Sequence, residues 1–250
     1  MPSIDGDGVS FEVIAIIQGE VTMSEIKERL SDINEWIDQR ESEGNLDKAE
    51  KALLALKAEF PEEDLICGKL SSVYFYKGLF TRDDKKREVY YEHGTNYGRE
   101  AINMNPRAIY GNFWYASNAG QLGICRGIMA SLASIDPFKQ SMEVVLKENE
   151  NFFFAGPHRA LGRLFHQAPG WPISVGNKNR AADHLERAVE LAPEFFNNRS
   201  FLAELYLDMG RKDKAKEHLE YLVAQQPKPD HAIEDSNYRN YAVEALQRFF

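Results

Sequence analysis

The sequence has little of what usually carries covalent, redox or metal chemistry. Two cysteines, Cys67 and Cys125, stand in 250 residues. That is too few for a disulfide framework or a cysteine metal cluster, and it does not fix the compartment. Each lies in an apolar helical stretch, where a thiol is expected as a small core residue. The six histidines, His93, His158, His166, His184, His218 and His231, form no His-Glu-x-x-His pair, and there is no Cys-x-x-Cys. The glycine-rich signatures that cradle phosphates are missing, as is Gly-x-Ser-x-Gly. Nothing specific therefore supports an enzyme, and no catalytic residue, cofactor or metal is expected. Long hydrophobic runs are also missing. The longest, such as Val13 to Ile17, hold about five residues, against roughly 20 for a transmembrane helix. Basic charge is in deficit, with 30 Lys and Arg against 39 Asp and Glu and a net charge of −9. That balance argues against a chain-wide footprint for nucleic acid and leaves room only for a local basic patch. Met1 to Gly8 is acidic and lacks the basic start of an export leader. As written, the chain reads as cytoplasmic; a periplasmic chain trimmed at its mature end would look the same.

What is present is a repeat. Hydrophobic residues make up 43% of the chain, enough for an ordinary core. Ala181, Leu185, Ala188 and Pro193 recur 34 residues later as Ala215, Leu219, Leu222 and Pro227. Between them stand Leu202, Ala203, Tyr206 and Gly210. This order resembles the tetratricopeptide pattern, with Arg199 where the pattern has tryptophan. Ala215 is the small residue that lets two helices approach, Gly210 allows a left-handed backbone after the first helix, and Pro227 stops the second. The unit recurs upstream with insertions. Leu161, Gly162 and Phe165 head one copy, and Phe138, Met142 and Val145 close another. Leu70, Tyr74 and Gly78 with Ala101 and Pro106 make a third. Gly44, Ala49, Leu53, Leu56 and Pro61 end the earliest, whose first helix runs from about Ser24 to Glu43. The expectation is an all-α tetratricopeptide-like superhelix of about five hairpins in one domain, residues 24–250. Tyr238, Tyr241, Ala242, Ala245, Leu246 and Phe249 have the 3 and 4 spacing of a final helix that caps the stack. Residues 1–23 are left as an N-terminal arm. Residues 167–177, with Pro169, Gly170, Trp171, Pro172 and Gly176, read as an inserted loop. The charged run Asp83 to Glu88 reads as a solvated linker or helix start.

A central segment is more specific. Tyr110-Gly-Asn-Phe-Trp-Tyr-Ala116, Asn118 and Gly120 come first. Gly127 to Leu132 follows, then Phe154-Ala-Gly-Pro-His-Arg159, Leu161-Gly-Arg163, Phe165-His166 and Ala168-Pro-Gly170. Residues 107 to 225 resemble the T component of tripartite ATP-independent periplasmic (TRAP) transporters. More distantly, they resemble the helical-repeat domain of regulator-of-microtubule-dynamics proteins. The first resemblance implies a periplasmic lipoprotein that forms trimers, works with a substrate-binding protein and carries a central hydrophobic passage. The sequence departs from it in having no lipobox cysteine.

Two groups of residues are candidates for recognition. Arg159, Arg163 and His166, with His158 just before them, form a cationic stripe on one helix face beside the inserted loop. Such a stripe holds a carboxylate or acidic peptide, or else pairs with acidic residues of a neighbouring helix. Trp114, Tyr115 and Tyr110 read as core, or as the wall of an internal pocket with Asn118 as polar anchor and Arg126 closing it. Gly120, Gly123 and Gly127 imply close helix contact or a break nearby. The leading expectation is a non-catalytic binding and assembly scaffold that holds a protein partner or a small apolar or acidic ligand. The alternatives are a small-molecule carrier or a cytoplasmic peptide-binding adaptor.

Overall fold

The computed structural model describes residues 11–250, with side chains from residue 25 onward. Of the arm expected over 1–23, residues 1–10 lie outside the described residues, and the backbone from Phe11 is the start of the first helix. The described chain is helical throughout. The helices are α1 (Phe11–Asp38), α2 (Asn45–Glu59), α3 (Asp64–Phe80), α4 (Asp84–Met104), α5 (Ile109–Arg126), α6 (Ile128–Glu148), α7 (Phe152–Gln167), α8 (Lys178–Leu191), α9 (Phe196–Asp208), α10 (Lys212–Ala224) and α11 (Ala232–Phe249). They form the five antiparallel pairs read from the repeat, followed by the capping helix α11 against α9 and α10. First helices of neighbouring pairs also pack together, α3 on α5 and more lightly α7 on α9, and the capping α11 continues the row on α9, with no comparable packing between second helices among the described residues. The first helices therefore line the inner, concave side, as stacking of wedge-shaped hairpins requires.

The close approach within pairs rests on small residues. Ala49, Ala101, Ala181 and Ala215, one in each of four second helices, are fully buried. The third pair reverses the arrangement: Phe138 of α6 fills the small slot, and Gly120 of α5 faces it. Gly98 of α4 lies so close to α5 that a Cβ there would stand 2.7 Å from the Tyr115 Cα. Backbone freedom is needed at the turns: Gly210 has φ 72°, as its position after α9 predicts, and Gly127, φ 98°, breaks α5 from α6. The charged run near residue 83 is a helix start, with Asp83 accepting from the Lys85 and Lys86 amides at 3.0 and 3.1 Å. Cys67 is buried as expected. Cys125 is exposed, contrary to expectation, because it lies in the last turn of α5 beyond Gly123, the last residue which that helix buries.

The two ends of the stack meet. The loop after α1 carries Arg40 and Glu41. The Glu41 carboxylate accepts the backbone N–H of Ile233 at 2.8 Å and of Glu234 at 2.9 Å, capping the first turn of α11. Arg40 donates Nε to Glu234 at 3.1 Å and Nη2 approaches His231 Nδ1 at 2.8 Å. The concave face is thus closed across nearly the whole length of the chain.

Two consequences are measurable. Gly98→Ala should cost about 1–3 kcal/mol, because the new methyl meets backbone rather than a side-chain tip; urea denaturation reads it. Glu41→Ala should speed amide hydrogen exchange at Ile233 and Glu234 well beyond any change in the middle of α9, which NMR resolves residue by residue.

Candidate functional site

The inner face encloses a cavity of about 310 Å³. The first helices of the first three pairs each contribute one stripe at helical spacing: Asn34, Ile37 and Asp38 from α1, Lys69, Ser72 and Tyr76 from α3, and Tyr110 and Trp114 from α5. Phe152 and Phe153 at the start of α7 make the far wall, and Arg40 closes the near end. The walls are aromatic and continuous. Trp114 packs on Tyr76 at 5.3 Å and on Phe153 at 5.2 Å between ring centroids, and Tyr110 meets Phe152 edge-on at 5.0 Å. The Trp114 Nε1 hydrogen has no partner among the described residues.

Lys69 is the unusual member of the set. It is 5% exposed, and its ammonium lies 4.4 Å from the centre of the Tyr110 ring. Its Nζ donates to Asn34 Oδ1 at 2.6 Å, with no carboxylate in ion-pair contact among the described residues. Burial pulls its pKa down to about 8, a shift that the Asp38 charge opposes without cancelling. Arg40, by contrast, is paired: it holds Glu234 and lies 4.5 Å over the Tyr76 ring. The cavity is therefore an apolar space with one underpaired cation in its wall. That composition suits an acidic group attached to an apolar body.

The far wall is built by strain. Phe153, Phe154 and Ala155 have φ of 49°, 57° and 57°, a single left-handed turn. Each such residue costs roughly 1–2 kcal/mol. The turn exposes carbonyls, and buried groups collect them. Arg159 Nη1 donates to Phe154 O at 3.0 Å, and Asn198 Nδ2, from α9, donates to the same oxygen at 3.1 Å. Arg159 also donates to Asn198 Oδ1 at 3.0 Å and stacks 4.8 Å from the centre of the Phe195 ring. Charge-assisted hydrogen bonds of about 1.5–3 kcal/mol each are of the size needed to hold that turn.

The structure separates the residues that the sequence grouped. Tyr110 and Trp114 do line the cavity. Tyr115 does not; it packs on Gly98 of α4. Asn118 is no pocket anchor: fully buried, it donates to Ser71 O at 2.9 Å and Trp114 O at 2.8 Å and clamps α5 to α3. Arg126 does not close the cavity. It lies at the far end of α5, paired with Glu88 and Glu92 of α4 at 2.7 and 2.8 Å. The cationic stripe is engaged along its length. Arg163 meets Glu204 at 2.7 Å and His166 meets Asp208 at 2.8 Å, both on α9, while Arg159 is interior. His158 contacts His184, Nδ1 to Nδ1 at 3.0 Å, and Glu150 at 3.3 Å. Lys69 and Arg40 were missed. The signal for Lys69 was available: it is the one charge between Leu65 and Tyr76 in an otherwise uncharged stretch of helix. No group of His, Cys, Asp and Glu that could hold a metal occurs among the described residues.

Comparison with known proteins follows the same lines. The family model described as regulator of microtubule dynamics protein 1-3 matches residues 33–166, and a tetratricopeptide repeat model matches residues 174–233. Of the two resemblances drawn from the sequence, the one taken as more distant is the one a family model matches. A thermophilic tetratricopeptide protein of Thermus thermophilus is similar in fold, with TM-score 0.66 and 19% identity, over 88% of this chain and 99% of that one. The human IFIT1 dimer with PPP-AAAA gives TM-score 0.45 and 16% identity, over 83% of this chain and 52% of that one. Yeast Tom70 gives TM-score 0.35 and 12% identity, over 98% of this chain and 77% of that one. No curated protein matches the chain.

The His158–His184 contact sets a pH response. Burial, then repulsion from His158 and Arg180, holds the His184 pKa down to about 4, and burial lowers that of His158. In the unfolded chain both protonate near pH 6.5, so the unfolded state binds more protons below that pH. The stability that the pair contributes is complete above about pH 6.5 and is lost as pH falls toward 4. In His184→Gln, urea midpoints between pH 7 and pH 5 should fall less steeply than in the parent protein.

Proposed function

The chain belongs to the regulator of microtubule dynamics protein 1-3 family, and on that footing we propose that it is a non-catalytic tetratricopeptide-type scaffold whose concave cavity holds a ligand with one acidic group on an apolar body. The observation that carries this reading is Lys69, buried against Tyr110 with an amide as its direct partner. An acid placed beside Lys69 supplies the missing counter-charge, and the aromatic wall from Tyr76 to Phe153 takes the apolar part. Asp38 and Glu234 stand nearby, so the site suits a single acidic group rather than a polyanion. The volume falls at the small end of small-molecule sites, which run from about 300 to 1,000 Å³. Recognition needs no covalent step, and no catalytic role is assigned to any residue.

The identity of a protein partner is a separate matter. The family description speaks of microtubule dynamics, which carries over to this chain as a cytoskeletal assembly. The T-component resemblance of residues 107–225 carries over instead as a substrate-uptake assembly, with a trimer and a periplasmic binding protein. The family match favours the first. A pull-down of the native protein, with its N-terminus determined, separates the two.

The cavity reading has a sharper test. A bound carboxylate restores the charge of Lys69, so binding should draw protons from solution between about pH 8 and 9.5, where the empty site is partly neutral. Calorimetry with decanoate in buffers of different ionisation heat measures that uptake, with decanol as the neutral control. Lys69→Met should abolish the uptake and weaken decanoate about tenfold or more, leaving decanol unchanged. It should also stabilise the empty protein at neutral pH, since the penalty for burying the charged amine is full below about pH 8 and eases as pH rises toward 10.4. Equal affinity for acid and alcohol would sink the reading.

A further inference from the structure

The turns inside each helix pair all fall on one edge of the stack, because every pair runs out along its first helix and back along its second. On the third and fourth pairs, that edge is unusually apolar. Ile128 and Met129, which open α6, are each 80% exposed, and Ile124 before them is 66% exposed. On the neighbouring loop between α7 and α8, Trp171 is 89% and Ile173 71% exposed. Single exposed apolar residues need no explanation, but five large ones on adjacent turn tips do.

Charge is distributed to match. The chain carries 39 acidic residues and a net charge of −9, yet no Asp or Glu occurs from residue 101 to 135 or from 151 to 182. These two stretches contain both apolar turns. The turns on either side carry more exposed cations than exposed acids. Arg82, Lys85 and Lys86 are exposed at the turn into α4, beside Asp83 and Asp84, and Arg211, Lys212 and Lys214 at the turn into α10, beside Asp213. Most acidic groups that approach the edge are engaged, Glu88 and Glu92 by Arg126, Asp208 by His166, Asp84 by Arg87 and Asp83 by the Lys85 and Lys86 amides, while Asp213 is exposed. The apolar tips are thus flanked by cations on both sides.

We propose that this edge docks on the surface of an anionic lipid bilayer, with Trp171, Ile173, Ile128 and Met129 entering the headgroup region and the flanking cations facing acidic headgroups. Turn tips are convex. They offer no groove for a partner's side chain and no unpaired strand for a peptide, the two usual features of protein docking. A fluid interface needs neither, and it favours an indole beside aliphatic side chains. Anionic headgroups attract the basic flanks. No helix among the described residues is long and apolar enough to cross a membrane, so the attachment is peripheral. This inference is independent of the cavity reading.

Co-sedimentation with vesicles of equimolar phosphatidylcholine and phosphatidylserine tests it, using the full chain. The parent protein should partition onto the vesicles, more weakly in high salt. Quenching by bromine-labelled lipid should fall on Trp171 and not on buried Trp114. Combining Ile128→Ser, Met129→Ser, Trp171→Ser and Ile173→Ser should reduce partitioning about tenfold or more, with the thermal midpoint unchanged because all four side chains are exposed. Lys69→Met should bind vesicles like the parent protein. Absence of partitioning at low salt, or equal partitioning of the fourfold variant, overturns the proposal. So does a concentration-dependent dimer that the fourfold variant abolishes in the absence of vesicle binding, which would make the edge a contact between copies.

Discussion

Glu41 accepts two backbone N–H groups from the first turn of α11, so one carboxylate joins the loop after the first helix to the start of the last. An open stack of hairpins has no such contact; its ends face solvent and its inner face is a trough. Here the ends are held together, and the inner face becomes a cavity with a floor and a near wall. The geometry is favourable on two counts. The two amides are among those a helix leaves without internal partners, and the positive end of the helix dipole faces the carboxylate. Arg40 is placed by the same contact. Held by Glu234 and His231, it covers the Tyr76 ring and closes one end of the cavity.

Closure changes the electrostatics of what it encloses. A lysine on an open concave surface keeps water around its ammonium and an ordinary pKa. Lys69 is enclosed by Tyr110, Asn34 and the α1 stripe, and burial outweighs the pull of Asp38. A protein that needed only a packed core at this position would carry an apolar residue of the same length, which removes the cost of burying charge. The retained cation makes physical sense if something acidic shares the cavity with it. The other buried cations differ in this respect. Arg159 is surrounded by carbonyls and Asn198, and Arg40 by a carboxylate, so both have their partners within the chain.

The fold was legible because its determinants are local and periodic. The spacing of Ala215, Leu219, Leu222 and Pro227, repeated from 34 residues before, states which helix faces touch. Gly210 states where the backbone turns left-handed. The cavity was half legible. Tyr110 and Trp114 stand out as aromatic residues four apart, and both are in it. Tyr115, one residue round the helix from Trp114, turns onto α4, and Asn118, on the same stripe as Trp114 but a turn further on, meets Ser71 of α3 instead of the cavity. The Arg159, Arg163 and His166 periodicity was real, but the partners of Arg163 and His166, Glu204 and Asp208, lie 41 and 42 residues on, on a helix whose facing side no local pattern announces. Arg40 and Glu41 were invisible for the same reason on a larger scale. Their partners are more than 190 residues away, and only the curvature of five stacked pairs brings them together.

Several walls of the cavity share a further property: a pair other than their own helps to fix them. Phe153 stands in a left-handed turn that its own sequence disfavours, and the turn persists because Asn198 of the following pair, with Arg159, takes its carbonyls. The α1 end is fixed by α11, and Trp114 and Tyr110 are held at their depth by Asn118 bonding back to Ser71 of the preceding pair. Removing a wall residue changes local packing, whereas removing one of these polar clamps lets a whole wall move. Arg159, Asn198, Asn118 and Glu41 are therefore the positions where shape is controlled, and Lys69 is the position where chemistry is. That division explains how a repeat fold, whose hairpins are individually similar, comes to have one specific interior.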